Sequence, residues 1–197
     1  MSGPQGTCLF ASALICLSET DAQRKALLSR DTAAAWRAGR LRLDGASPPP
    51  HPVDEPGRPP RPQLVPPREL AKRSVTGVRG RAALIHAVAH IELNAINLAW
   101  DAVYRFRGLP SDYYDDWVRV AGEEAHHFRL MCARLASLGF GYGDFPAHDG
   151  LWAMARRTSH DPLVRMAMIP RVMEARGLDV TPGMIARFRS AGDEETA

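Results

Sequence analysis

The chain has 197 residues, 45% hydrophobic and 24% charged, which excludes a wholly disordered protein and supplies enough apolar side chain for one compact core. Its net charge of +3 comes from 25 basic residues of which only Lys25 and Lys72 are lysines, and the arginines are scattered rather than clustered, so charge alone does not define a nucleic-acid surface. Three cysteines, Cys8, Cys16 and Cys132, lie in no zinc-finger spacing and are too few for a disulfide scaffold, which points to a reducing, cytoplasmic compartment.

In chain order, Cys8 to Leu17 is a short apolar stretch with no basic residue before it and no small-residue cleavage site after it, so it predicts an amphipathic helix rather than a signal peptide. No run reaches the ~18 to 20 apolar residues of a membrane span, and no membrane partner is expected. Ser18 to Gly39 predicts a capped helix started by Ser18 or Thr20, completing an N-terminal helical arm over residues 1–45. Ten of the sixteen prolines then fall between Pro48 and Pro67. Residues 46–70 are therefore expected to be a linker without regular structure, draped over the domain surface.

From residue 71 the pattern is helical throughout. Arg81–Phe106 is closed by Gly108 and Pro110, and Ser111–Leu138 is closed by Gly139; so short a connection makes the two helices antiparallel neighbours. After the loop GFGYGDFPAHDG come a short helix, Leu151–Thr158, a third main helix, Asp161–Arg176, with Pro170 in its interior and Gly177 as its stop, and a last helix, Gly183–Ser190, opened by Thr181 and Pro182. The expected class is all-α: an antiparallel helical bundle over residues 71–197.

Chemistry enters where charge interrupts an apolar stripe. On a 3.6-residue wheel Ile85, Ala89, Glu92, Ile96, Ala99 and Val103 share one line, and Trp117, Ala121, Glu124, His127, Met131 and Leu135 share another. In the overlapping EEAHHF sequence this puts Glu124 and His127 towards the core and Glu123 and His126 towards solvent. In the third helix Leu163, Ala167, Pro170 and Glu174 fall in line. Buried carboxylates need a cation, and hard oxygens with one imidazole suit iron or manganese. One glutamate followed by Glu-x-x-His on the next helix is also the half-site pattern of a di-metal bundle. The alternative is structural: Glu92 and Glu174 paired with arginines such as Arg129 or Arg176, and His127 a satisfied core histidine.

The phrases HAVAHIELNAINLAWD, DWVRVAGEEAHHFRLM, YGDFPAHDGLW and MIPRVMEARGLDVTP resemble the bacterial ferritin-like family catalogued as domain of unknown function 455, over about Leu14 to Gly192. The resemblance implies a ferritin-like bundle related to the di-iron hydroxylase that modifies tRNA, with Glu92 as the first-helix ligand, Glu124 and His127 as the second-helix pair and Glu174 as the third-helix ligand. The family pattern continues beyond the positions of Gly192 and Asp193 into a fourth helix with a second Glu-x-x-His, which is absent here. The expectation is a C-terminally truncated bundle with one well-formed metal position. Its arm is too polar at Arg24, Lys25, Arg30 and Asp31 to replace a core helix, so its open face is expected to be covered by homodimerisation. Three functions follow: a non-haem di-iron or manganese oxidase or hydroxylase acting on a small molecule, a degenerate metal-binding or structural protein without catalysis, and an RNA-associated hydroxylase-like protein.

Overall fold

The computed structural model describes residues 8–43, 49–71 and 74–197, the side chains of residues 170–178 and 180 excepted. The chain is all-α: seven α-helices and one 3-10 turn, Pro67–Glu69, are seen among the described residues, with isolated bridges at Cys8/Arg42 and Leu64/Ala147 and no strand. In order, these are α1 (Leu9–Ser18), α2 (Ala22–Arg37), α3 (Gly77–Arg105), α4 (Ser111–Ser137), α5 (Gly150–Arg157), α6 (Pro162–Met168) and α7 (Pro170–Ser190). They belong to two compact units: one of Met1–Arg61 with His90–Leu130, the other of Pro62–Ala89 with Met131–Ala197.

In the first unit α1 and α2 both carry buried faces, so Arg24, Lys25, Arg30 and Asp31 do not keep α2 out of the core as expected. Asp21, rather than Ser18 or Thr20, caps α2, its Oδ1 accepting from the Arg24 backbone N–H at 2.7 Å. The buried line of α2 runs Ala22, Lys25, Ala26, Ser29, Thr32 and Ala33, and its small side chains allow close approach: a Cβ on Gly122 of α4 would lie 3.1 Å from that of Ala33. Lys25 is 1% exposed. Its ammonium donates to the carbonyls of Leu17 (3.0 Å) and Gly57 (2.8 Å) and to Asn97 Oδ1. Burial pushes this lysine down to about 7.

The second half of α3 is buried nearly all round, from Leu93 to Tyr104. By length and composition α3 is long and apolar enough to cross a bilayer, contrary to expectation, and 61% of its most apolar stretch is buried within the protein. Helix buried on every side and helix in a membrane share one composition. A polar line also runs along it: His90, Asn94, Asn97 and Asp101 are all buried. Asn94 bonds His90, Asn97 accepts from Lys25, and Asp101 takes the Arg105 guanidinium at 2.8 Å. Tyr113 and Tyr114 of α4 reach back to the carbonyls of Ala102 and Phe106.

The described proline-rich residues are irregular but pinned. Within the first unit the His51 N–H donates to the Tyr104 hydroxyl and Arg105 donates to the Val53 carbonyl. The Gly57 N–H donates to Leu17 O at 2.8 Å. Only glycine fits at position 57: an added Cβ would lie 2.2 Å from the Ser18 carbonyl oxygen. Pro56 and Pro62 are buried, and the Pro67–Glu69 turn adds local order, so the stretch is an anchored strap rather than a loose spacer. Residues 46–48 of it lie outside the described residues.

In the second unit the Val65 N–H donates to Ala147 O at 2.9 Å and the Ala147 N–H to Gln63 O at 3.0 Å, and buried His86 accepts from the Gly143 N–H at 3.0 Å while stacking on Tyr142. Gly139 ends α4 at φ +82°, a left-handed position glycine takes without strain. Two boundaries differ from expectation. Pro170 breaks the expected third helix instead of lying within it: α6 ends at Met168 and Pro170 is the first residue of α7, the place where a missing N–H is harmless. Conversely α7 runs unbroken through Gly177 and Pro182 to Ser190, because it is held at both ends, by packing on α6 and by burial of Phe188. Past its end, buried Asp193 takes Arg134 at 2.6 Å and Arg81 at 3.3 Å.

Candidate metal centre

The periodicity of α4 explains how its chemistry is presented. Its buried residues are Tyr114, Trp117, Val118, Ala121, Ala125, Phe128 and Leu135, a line repeating at steps of three and four. Glu124 and His127 stand on the flank of this line, not at its centre as expected. Glu124 is consequently 25% exposed and His127 52% exposed, which corrects the expectation of a fully interior site. Glu123 is exposed at 54% and faces Arg119 at 3.7 Å, and His126 is exposed.

From α3, half-buried Glu92 meets this flank. One ligand atom from each of Glu92, Glu124 and His127 lies within 4.8 Å of the others. His127 Nδ1 is 3.0 Å from Glu124 Oε2, within hydrogen-bond distance. Glu92 is pushed up to about 9, first by burial and then by its hydrogen bond to Glu124 and the charge of that neighbour. Two carboxyls this close hold a proton between them when no cation is present. Glu92 makes no ion pair among the described residues, Arg129 included, and half-exposed His127 is not a satisfied core histidine. The Glu174 side chain, like that of Arg176, lies outside the described residues.

The pattern thus brings together three of the four residues singled out. What it missed is Lys25, whose signal was its place on the small-residue line of α2 rather than among that helix's exposed charges.

Fold and site together define an all-α helical protein carrying an open carboxylate–imidazole cluster on two adjoining helices. The family described as "Protein of unknown function (DUF455)" matches residues 18–197, and the chain belongs to it. An uncharacterised protein of Haemophilus influenzae is 52% identical to it over 131 residues, which are 63% of this chain and 46% of that protein. The chain thus spans about half the length of this relative. No solved structure matches it.

Proposed function

We propose that the chain is a ferritin-like, carboxylate-bridged metal protein, of the non-haem iron or manganese oxidase and hydroxylase lineage, that holds its cation between Glu92, Glu124 and His127. The observation that carries this reading is the approach of two carboxylates and one imidazole to within 4.8 Å with no arginine or lysine paired to Glu92 or Glu124 among the described residues. The donor set fits: two hard oxygens and one imidazole suit iron or manganese better than a thiolate-seeking metal. A metal there supplies redox and Lewis-acid chemistry at the protein surface.

The residues themselves set the terms. Glu92 exchanges its shared proton for the cation, so loading releases a proton and strengthens as pH rises. Glu124 lies between the other two and orients His127 through the 3.0 Å bond, the arrangement that fixes a ligand ring before a metal arrives. The half exposure of His127 leaves a side of the site open to a small molecule. Glu174 enters this reading through its helix pattern and the family resemblance alone.

The test is metal analysis of the purified protein after growth with iron and with manganese, beside Glu124→Ala. Near-stoichiometric metal in the natural protein, lost in the variant, is expected. Equal, trace metal in both overturns the reading.

A further inference from the structure

The strap of the first unit, over residues 49–61, is seated on the same atoms that hold Lys25. Gly57 donates its N–H to Leu17 O at 2.8 Å and offers its own carbonyl to Lys25 Nζ at 2.8 Å. Leu17 O also accepts from Nζ, at 3.0 Å, and Asn97 Oδ1 of α3 closes the nest. Nothing fits between strap and helix here: a Cβ at Gly57 would overlap the carbonyl oxygens of Ser18 and Glu19. Shutting Lys25 from water and seating the strap are therefore one event.

The three oxygens around Nζ are all neutral, and Lys25 makes no ion pair among the described residues. From α1, Cys16 faces it as a thiol that burial pushes up to about 11, and Glu19 is drawn to Arg24 at 3.0 Å. From the strap comes a like charge, Arg58, which pairs with Glu55 at 3.2 Å. A buried ammonium without a carboxylate is costly, and burial lowers Lys25 from 10.5 to about 7. The neutral amine, by contrast, suits the nest. Its two N–H groups serve Gly57 O and Asn97 Oδ1, and Leu17 O keeps the Gly57 N–H.

We infer that the strap is an acid-opened latch: it lies closed over the neutral amine of Lys25 and lifts at Gly57 when Nζ takes a proton from the solvent. Lifting gives the ammonium the water that the nest denies it. The hinge lies towards His51 and Val53, which Tyr104 and Arg105 of α3 hold by separate bonds. The latch is independent of the metal reading.

The test is amide hydrogen exchange of the full chain from pH 6 to 9, each rate divided by that of the unfolded sequence at the same pH. An opening that returns Lys25 from about 7 towards 10.5 takes up a proton over this range. Protection of the Gly57 amide is therefore expected to rise by up to about a hundredfold from pH 6 to 9, most of it above pH 7, and to stay below that of residues 96–103 of α3. Lys25→Met is expected to abolish the pH response. Gly57→Ala, which props the strap off Ser18 and leaves the lysine in place, is expected to expose the strap amides at every pH and to return the Lys25 titration, followed by NMR of its side chain, towards 10.5. Gly57 protection that does not change with pH, a response that survives in Lys25→Met, or strap amides that exchange only together with those of α3 overturn the inference. Should Lys25→Met fail to fold, Gly57→Ala decides: a lysine that still titrates near 7 under the displaced strap overturns it.

Discussion

Two places in the first unit take ionisable groups out of water, and they do it in opposite ways. Lys25 is 1% exposed and completely provided for: three oxygens, from Leu17, Gly57 and Asn97, accept from its three N–H groups. Glu92 is less deeply buried, yet its hydrogen-bond partner is another carboxyl, that of Glu124, with a half-exposed imidazole beyond it. A site that meets all its own hydrogen-bonding needs has no vacancy for a ligand and holds the fold together. One that gathers two carboxyls beside an opening is left to share a proton between them.

The largest effect is expected from breaking the complete site. Lys25→Met removes the donor that the Gly57 carbonyl and Asn97 Oδ1 accept from and takes one of two donors from Leu17 O, a loss of about 3 kcal/mol. Denaturant unfolding should show a lower midpoint, and metal content per folded chain should not change. Next comes the incomplete site: Glu124→Ala takes out the carboxylate that touches both neighbours. Metal affinity is expected to fall on the order of a hundredfold, about 2.8 kcal/mol, with little change in the melting of metal-free protein. If both substitutions lower stability and neither touches metal uptake, the contrast between the two sites is wrong.

The two sites were not equally legible in the sequence. Glu92, Glu124 and His127 stood out because charge interrupts an apolar 3.6-residue stripe, and such an interruption can be read from one helix at a time. Their exposure could not be: it depends on a rotation that places Ala121, Ala125 and Phe128 at the centre of the α4 contact and Glu124 and His127 on its flank. Lys25 was hidden for a different reason. Its acceptors come from the end of α1, from the strap at Gly57 and from α3, as far as 72 residues away, and no local pattern reports such a convergence. The helical class followed from periodicity, but the ends of α6 and α7 did not. Pro170 and Pro182 carry the same local signal, and only packing decides that one breaks the helix and the other is absorbed.

A smaller effect sharpens the contrast through pH. Glu92 is raised from 4.5 to about 9 in the folded, metal-free protein. Between these values the unfolded chain gives up the proton and the folded chain keeps it, so the contribution of Glu92 is full below about pH 4.5 and is lost as pH rises to about 9. Lys25, lowered from 10.5 to about 7, works in the other sense, adding stability as pH rises from about 7 to 10.5. The two slopes oppose each other between about pH 7 and 9, so the difference between Glu92→Gln and the natural protein is the useful quantity. At pH 8 the variant is expected to be more stable by about 1 kcal/mol, a figure discounted for the solvent that reaches the site. It should lose metal at the same time. A variant that is destabilised at pH 8 would show that the Glu92 carboxylate is balanced by a charge and that its site is as complete as that of Lys25.

The smallest effect is expected from the neighbouring pair on α4. Glu123 and His126 repeat the spacing of Glu124 and His127 one residue earlier, so sequence pattern alone gives both pairs the same chemistry. The helix turns about 100° per residue, and this carries Glu123 away from α3 to the Arg119 guanidinium, where it is 54% exposed. An exposed pair of this kind contributes between about 0 and 1 kcal/mol. Glu123→Ala/His126→Ala should therefore leave metal content and affinity within about twofold of the natural protein, a change near 0.4 kcal/mol. Iron and manganese titrations of this variant beside Glu124→Ala compare two substitutions adjacent in sequence that lie on different faces of α4. Should the Glu123/His126 variant lose metal as Glu124→Ala does, the cation is held by the exposed face of the helix, and the approach of Glu92 to Glu124 is a packing contact between two carboxyls sharing a proton.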